Sequence, residues 1–149
     1  MRNIGLDAEG GADGVDGVLL LRLAFGAPVD AVEVERDQIA AGFVSWALRD
    51  FGGPTKYWEI GIALLPQWRG QGIGWRAQAM LCDYLFKHTP VQRIQAGTHP
   101  ENIAEQKSLE KAGFQLEGVV RACEFRAGQW RDGYLYSRLR DDPAPDPSQ

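Results

Sequence analysis

The sequence predicts an α/β fold (α+β): a mixed central sheet with helices packed on its faces. Three observations predict it. Residues 57–88 read as a strand, a glycine-rich loop and a helix in succession; a second strand and helix follow; and alternating apolar runs flank this centre as hairpins on both sides. A strand–helix–strand order implies a right-handed parallel crossover, whereas hairpins are antiparallel, so the sheet contains both kinds of pairing. No period of roughly 20–50 residues repeats, which excludes a solenoid.

Taken in order, Met1 to Gly17 holds five glycines and four acids with little periodicity and is expected to be loosely ordered. Val18 to Phe25 is apolar enough for a strand or a buried helix end, and is too short to decide between them. Ala31 to Glu35 alternates, Arg36-Asp37-Gln38 turns, and Ile39 to Leu48 is an apolar run interrupted by Gly42, where a bulge or a close backbone approach is expected. Arg49 to Lys56 is the loop into the central strand.

Tyr57 to Leu65 is rich in aromatic and branched residues, and Pro66 stops it because proline has no N–H for a ladder. Gly70, Gly72 and Gly74 follow at alternate positions, and then Trp75 to His88 runs without Gly or Pro. Its face is Ala77, Leu81, Tyr84, Leu85 and His88, with Arg76, Gln78, Asp83 and Lys87 largely elsewhere. Thr89-Pro90 breaks the chain before a short strand over Val91 to Thr98. Asn102 caps the next helix, with Glu105 three residues on in the arrangement of a capping box, and Gly113 stops it. Glu117 to Arg126 and Trp130 to Leu139 form the last hairpin. Asp141 to Gln149, with three prolines, is a tail. The folded domain is expected over residues 18–140.

At 149 residues the chain makes one domain, able to bury roughly two thirds of its unfolded surface without staples. Cys82 and Cys123 form neither a C-x-x-C pair nor a ligand cluster with the two histidines, and read as reduced core residues; no metal is expected. No basic-then-apolar leader and no apolar run of about 20 residues occurs, so the expectation is a soluble, cytoplasmic protein without membrane partners. A net charge of −4 argues against general nucleic-acid binding, which clustered Lys and Arg would serve.

The glycine loop carries the chemistry. The first N–H groups of a helix lack intrahelical partners, the peptide dipoles add positive potential there, and glycines let a ligand approach the backbone. A phosphate or pyrophosphate is the natural guest; a plain tight turn is the bland alternative, which three alternating glycines behind an arginine disfavour. The spacing fits neither G-x-x-x-x-G-K-[ST] nor G-x-G-x-x-G. It fits R-x-x-G-x-G, written as Arg69-Gly70-Gln71-Gly72-Ile73-Gly74 after I-G-I-A-L-L-P.

That string resembles the acyl-coenzyme A loop of the GCN5-related N-acetyltransferases (GNAT), in the branch that includes the ribosomal-protein N-terminal acetyltransferases. A second block, Asn102 to Phe114 (N-I-A-E-Q-K-S-L-E-K-A-G-F), is similar to a later helix of the family. The resemblance implies a GNAT-like sheet and transfer of an acetyl group from acetyl-CoA, as co-substrate, to a primary amine: a protein N-terminus or a small amine. It implies that the backbone N–H groups of Gly70, Gln71, Gly72, Ile73, Gly74 and Trp75 hold the pyrophosphate, with the side chains of Arg69 and Arg76 adding charge nearby. Ile62, Ala63 and Leu64 would pair with the pantetheine arm through their backbones, and Asn102 would reach that arm besides capping its helix. Many relatives carry a tyrosine seven residues after the asparagine as acid for the leaving thiolate; here that position is Leu109, which leaves Ser108 or water. Glu59 is the first choice for the base, ahead of His99 and Glu101, although an exposed strand carboxylate paired with an arginine is the more ordinary description of it. Trp46, Trp130, Tyr134 and Tyr136 read as core aromatics, or as the lining of an acceptor pocket.

Relatives normally open with a strand and two helices that wall the acceptor, and about 30 residues before the first hairpin are too few for all three, so a shortened N-terminal part is expected, lacking the opening strand or the first helix. Either the chain starts late, or a partner subunit, in one arrangement a homodimer, supplies that wall. A catalytically weak or inactive acyl-CoA-binding module is the rival reading.

Overall fold

The computed structural model describes residues 19–23, 30–37 and 39–146; the loose segment expected over 1–17 lies outside them. Seven strands form one sheet: β1 (Leu19–Leu23), β2 (Asp30–Arg36), β3 (Ile39–Asp50), β4 (Lys56–Leu64), β5 (Arg93–Thr98), β6 (Gln115–Arg126) and β7 (Gln129–Leu139), in the order β1-β2-β3-β4-β5-β7-β6. Helix α1 (Ile73–His88) connects β4 to β5, and α2 (Ile103–Lys111) connects β5 to β6. Only β4 and β5 pair in parallel, as the crossover through α1 requires; every other neighbour is antiparallel. The mixed sheet expected from the sequence is therefore the one found. The early apolar run is a strand, β1, paired with β2. So an opening strand is present, and among the described residues no helix stands between it and β2.

The core lies where the helices meet the sheet. Val34, Val44, Ile60, Ile94 and Tyr136 from the strands close on Ile73, Ala77, Leu81 and Leu85 of α1 and on Leu109 of α2. The α1 residues recur at intervals of four, the stripe that drives an amphipathic helix onto a sheet. Cys82 is wholly buried, and burial pushes its thiol up to about 12, so it is an inert packing residue. Two positions on α1 depart from the sequence reading. His88 is exposed, and Gln78, expected on the outer face, is 1 % exposed. At the far end Thr89 Oγ1 donates to Leu85 O (2.7 Å) and accepts from Trp58 Nε1 (3.0 Å), tying the end of α1 to β4.

Two irregularities shape the centre. Val34 faces Gly42 while Glu35 faces Ala40, so Ala41 is an extra residue in β3; its carbonyl accepts from Leu65 N (2.9 Å). At Gly42 (φ 154°) a Cβ would stand 2.1 Å from Ala63 O. This is the close backbone approach that the sequence left open beside the bulge, and it lets the end of β4 lie against β3. Gly42→Ala is expected to lower stability by about 2 kcal/mol or more, read as a drop in Tm, because strand backbone rather than a mobile side chain must give way.

The second irregularity opens the sheet. β4 and β5 pair at Trp58↔Ile94 and Glu59↔Gln95 alone; beyond that the C-terminal half of β4 stays on β3 and the rest of β5 on β7. The two strands splay, and a cleft opens in the gap between them.

Candidate active site

The loop between β4 and α1 is built by its glycines. A short 3₁₀ turn (Pro66–Trp68) follows the strand, and Gly70 (φ 72°) and Gly72 (φ 74°) take the left-handed conformation that glycine adopts without strain. Gly72 is the N-cap and α1 begins at Ile73, so the helix starts two residues before the sequence reading and takes Gly74 into its first turn. No side chain caps this end. Among the described residues no protein acceptor is found for the main-chain N–H of Gly70, Gln71, Gly72 or Ile73. Nothing stands within 4 Å of where a Cβ on Gly70 would be. Four donors at a positive helix end, beside open space, are an arrangement able to take an anion.

The loop's side chains brace it. Arg69 Nε donates to Leu64 O (3.0 Å), and Gln71 Nε2 donates to Gln67 O (2.7 Å). Arg69 thus ties the loop to the end of β4 with one of the nitrogens that the sequence reading aimed at a phosphate. Arg76 lies 5.4 Å over the ring of Trp75. Gly74 faces both neighbours, since a Cβ there would stand 3.2 Å from Ser108 Oγ, 3.6 Å from Leu64 Cδ1 and 3.7 Å from Ile62 Cδ1. Ile62 also lines the cleft, so the helix head and the gap between the strands share a wall.

The cleft has a volume of ≈ 520 Å³. Residues 59–62 of β4 form one wall and residues 95–98 of β5 the other; Asn102 and Glu105 of α2, Cys123 and Glu124 of β6, and Tyr134 of β7 close it, with His99 at the end of β5. Among these, Glu59 holds both oxygens in contact: Gln95 Nε2 donates to Oε2 (3.2 Å), and Arg49 Nε lies 3.7 Å from Oε1. The arginine-paired strand carboxylate is therefore realised, at a place that also faces the cleft. Asn102 Oδ1 accepts from Glu105 N (3.2 Å) and caps α2. The capping box is only half made, however. Asn102 N donates to His99 O (3.0 Å), and the Glu105 carboxylate turns away to accept from Gln78 Nε2 (2.5 Å). Ser108 Oγ donates to the other end of that amide, Gln78 Oε1 (2.8 Å), and lies outside the cleft lining.

Several cleft groups escaped the sequence reading. Cys123, read as core, is exposed and faces the cleft, because the β6–β7 register breaks between Val120 and Glu124 around Ala122 (φ 46°). The same break brings Glu124 to the cleft. His99 Nδ1 lies 3.2 Å and Arg126 Nε 3.5 Å from Glu124 Oε2, yet neither contact has hydrogen-bond geometry, so that buried oxygen accepts no hydrogen bond. Arg126 is drawn instead to Glu101, whose carboxyl it holds below the usual range. Of the aromatics, Trp46 and Tyr136 are core as expected, Trp130 is 66 % exposed, and Tyr134 lines the cleft.

The family model of the acetyltransferase (GNAT) domain matches residues 23–115. The chain belongs to this family. Among curated relatives, an uncharacterized N-acetyltransferase, YnaD, of Bacillus subtilis (strain 168) is 32% identical over 92 residues, covering 62% of this chain and 53% of that one. The chain spans about half the length of the curated relatives it matches. Among solved structures, the ribosomal-protein-S5-alanine acetyltransferase of Vibrio fischeri superposes with a TM-score of 0.68 at 29% identity, covering 76% of this chain and 63% of that one. RimJ of Mycobacterium smegmatis, solved with a CoA disulfide, gives 0.67 at 27% identity, covering 74% and 53%. The resemblance to the ribosomal-protein branch of the GNAT acetyltransferases thus holds in fold as well as in motif. Among the described residues no helix is long and apolar enough to cross a membrane.

Proposed function

We propose that this GNAT protein transfers an acetyl group from acetyl-CoA to a primary amine, either a protein N-terminus or a small amine, by direct attack on the thioester. The observation that carries the reading is the set of unpartnered N–H groups at Gly70–Ile73, sharing the Ile62 wall with a cleft that holds carboxylates. The diphosphate of the coenzyme would take those N–H groups, with Gly74 and Trp75 continuing the helix head behind them. Its arm would then run along the backbone of Ile62, Ala63 and Leu64, past Asn102, into the gap between β4 and β5.

The incoming amine is an ammonium at neutral pH and must lose a proton before its lone pair can attack the thioester carbon. Two groups face the cleft for that task. Glu59 Oε2 accepts from Gln95 and its Oε1 lies 3.7 Å from Arg49, whereas Glu124 Oε2 accepts no hydrogen bond and lies beside His99 Nδ1 and Arg126 Nε, at 3.2 and 3.5 Å. We assign the proton to Glu124, with His99 next to it, and give Glu59 the role of holding charge and position. Attack forms the C–N bond; the C–S electrons leave with sulfur, and the thiolate takes up one proton.

The test is a thermal shift with coenzyme A, followed by thiol release from acetyl-CoA with a panel of small amines and peptides with free N-termini. A rise in Tm and turnover on at least one acceptor are expected. No shift and no turnover would end the reading.

A further inference from the structure

We propose that Glu105, fixed at the cleft wall by the buried amide of Gln78, gives the proton that the departing thiolate takes up when the C–S bond breaks. The inference rests on the acetyl-transfer reading above and assigns a step that the reading leaves to an unnamed donor. It starts from the half-made cap of α2. In a capping box the carboxylate three residues after the cap reaches back to the cap's N–H. Here His99 O already takes that N–H, and Glu105 is free to cross to α1.

Gln78 gives it a fixed seat. The amide is 1 % exposed; its oxygen accepts from Ser108 Oγ (2.8 Å) and its NH₂ donates to Glu105 Oε1 (2.5 Å). Oε2 remains as the oxygen able to carry a proton. Burial pushes the Glu105 carboxyl above the usual glutamate range, and the Gln78 bond only partly offsets this. Its hydrogen-bond partner is a neutral amide. The ionisable groups facing the same cleft are Glu59 from β4, His99 from the end of β5, Cys123 and Glu124 from β6 and Tyr134 from β7, with Arg126 committed to Glu101 and lying near Glu124. Ser108, the donor expected from sequence, has its hydroxyl proton in the bond to Gln78 and so steadies the amide.

The step balances. As the tetrahedral carbon expels sulfur, the C–S pair goes to sulfur, sulfur takes the Glu105 proton, and the carboxylate left behind regains one from water. The amine's own proton leaves by Glu124.

Two readouts on the whole protein test this. The side-chain ¹³C carboxyl resonance of Glu105 is expected to titrate clearly above the ordinary value of about 4.3. Thiol release from acetyl-CoA is then followed with hydroxylamine, an acceptor that is neutral at physiological pH and needs no deprotonation before it attacks. Glu105→Gln is expected to lower kcat by about 100-fold, to leave the KM for acetyl-CoA within about twofold, and to remove the fall in kcat at high pH. Ser108→Ala is expected to lower kcat by only about threefold, by loosening Gln78. Glu105 titrating as an exposed glutamate, wild-type kcat in Glu105→Gln, or the full loss appearing in Ser108→Ala would each overturn the assignment. With coenzyme A still raising the wild-type Tm, any of these leaves acetyl transfer standing. A wild type that neither shifts nor releases thiol would remove both.

Discussion

Replacing Gly72 by valine is expected to weaken coenzyme A binding by about 100-fold or more while the domain stays folded. Gly72 sits at φ 74° as the N-cap of α1, a conformation that a β-branched residue adopts only under strain of about 1–3 kcal/mol. The backbone relieves that strain by rotating, which turns the N–H groups of Gly72 and Ile73 out of the row they form with Gly70 and Gln71. A hydrogen bond to a charged group contributes about 1.5–3 kcal/mol, so losing two yields the stated factor. Calorimetric titration measures it, and the Tm of the free variant separates lost binding from lost fold. Since α1 is held by Ile73, Ala77, Leu81 and Leu85 in the core, a modest drop in Tm is expected. Undiminished affinity in the folded variant would show that the glycine loop is not the anion site.

The second large effect is expected at Glu124. Glu124→Gln keeps size and hydrogen-bonding capacity but cannot take a proton, and kcat/KM near neutral pH is expected to fall about 100-fold. The loss shrinks as pH rises, because more of the amine then arrives already neutral and less depends on a base. Glu59→Gln, whose carboxylate is already engaged by Gln95 and Arg49, is expected to change the rate by about threefold or less and to leave the shape of the pH profile intact. Profiles of the two variants measured on one acceptor decide between them. A profile altered by Glu59→Gln and untouched by Glu124→Gln would return the base to the central strand.

How much was legible in the sequence follows from the range over which each feature is determined. The strand stop at Pro66, the glycine loop and the cap at Asn102 are local: proline has no N–H, glycine alone tolerates φ near +70°, and asparagine bonds the third residue on. They stand where the sequence put them. The start of α1 was misplaced by two residues because a glycine N-cap in the left-handed region looks like loop rather than helix. Gln78 was misread because a polar side chain on a helix reads as solvent-facing until partners from another helix, Ser108 and Glu105, are known. The irregularity at Ala122 carries Cys123 and Glu124 into the cleft, and nothing in a run such as R-A-C-E-F announces it. The meeting of His99 with Glu124 joins the end of one strand to a hairpin later in the chain, a contact set by sheet order rather than by spacing. The Glu105 carboxylate shows the same limit: its sequence position spells a capping box, and a competing acceptor at His99 O redirects it.

Every proposed step depends on main-chain amides at the head of α1 holding the anionic end of the coenzyme. An amide-resolved NMR titration with coenzyme A addresses that directly. The largest shift changes are expected at Gly70, Gln71, Gly72, Ile73 and Gly74, with smaller ones at Ile62, Ala63, Leu64 and Asn102. Saturable binding that leaves the amides of residues 70–74 unmoved, with the changes gathered elsewhere on the sheet, would contradict it.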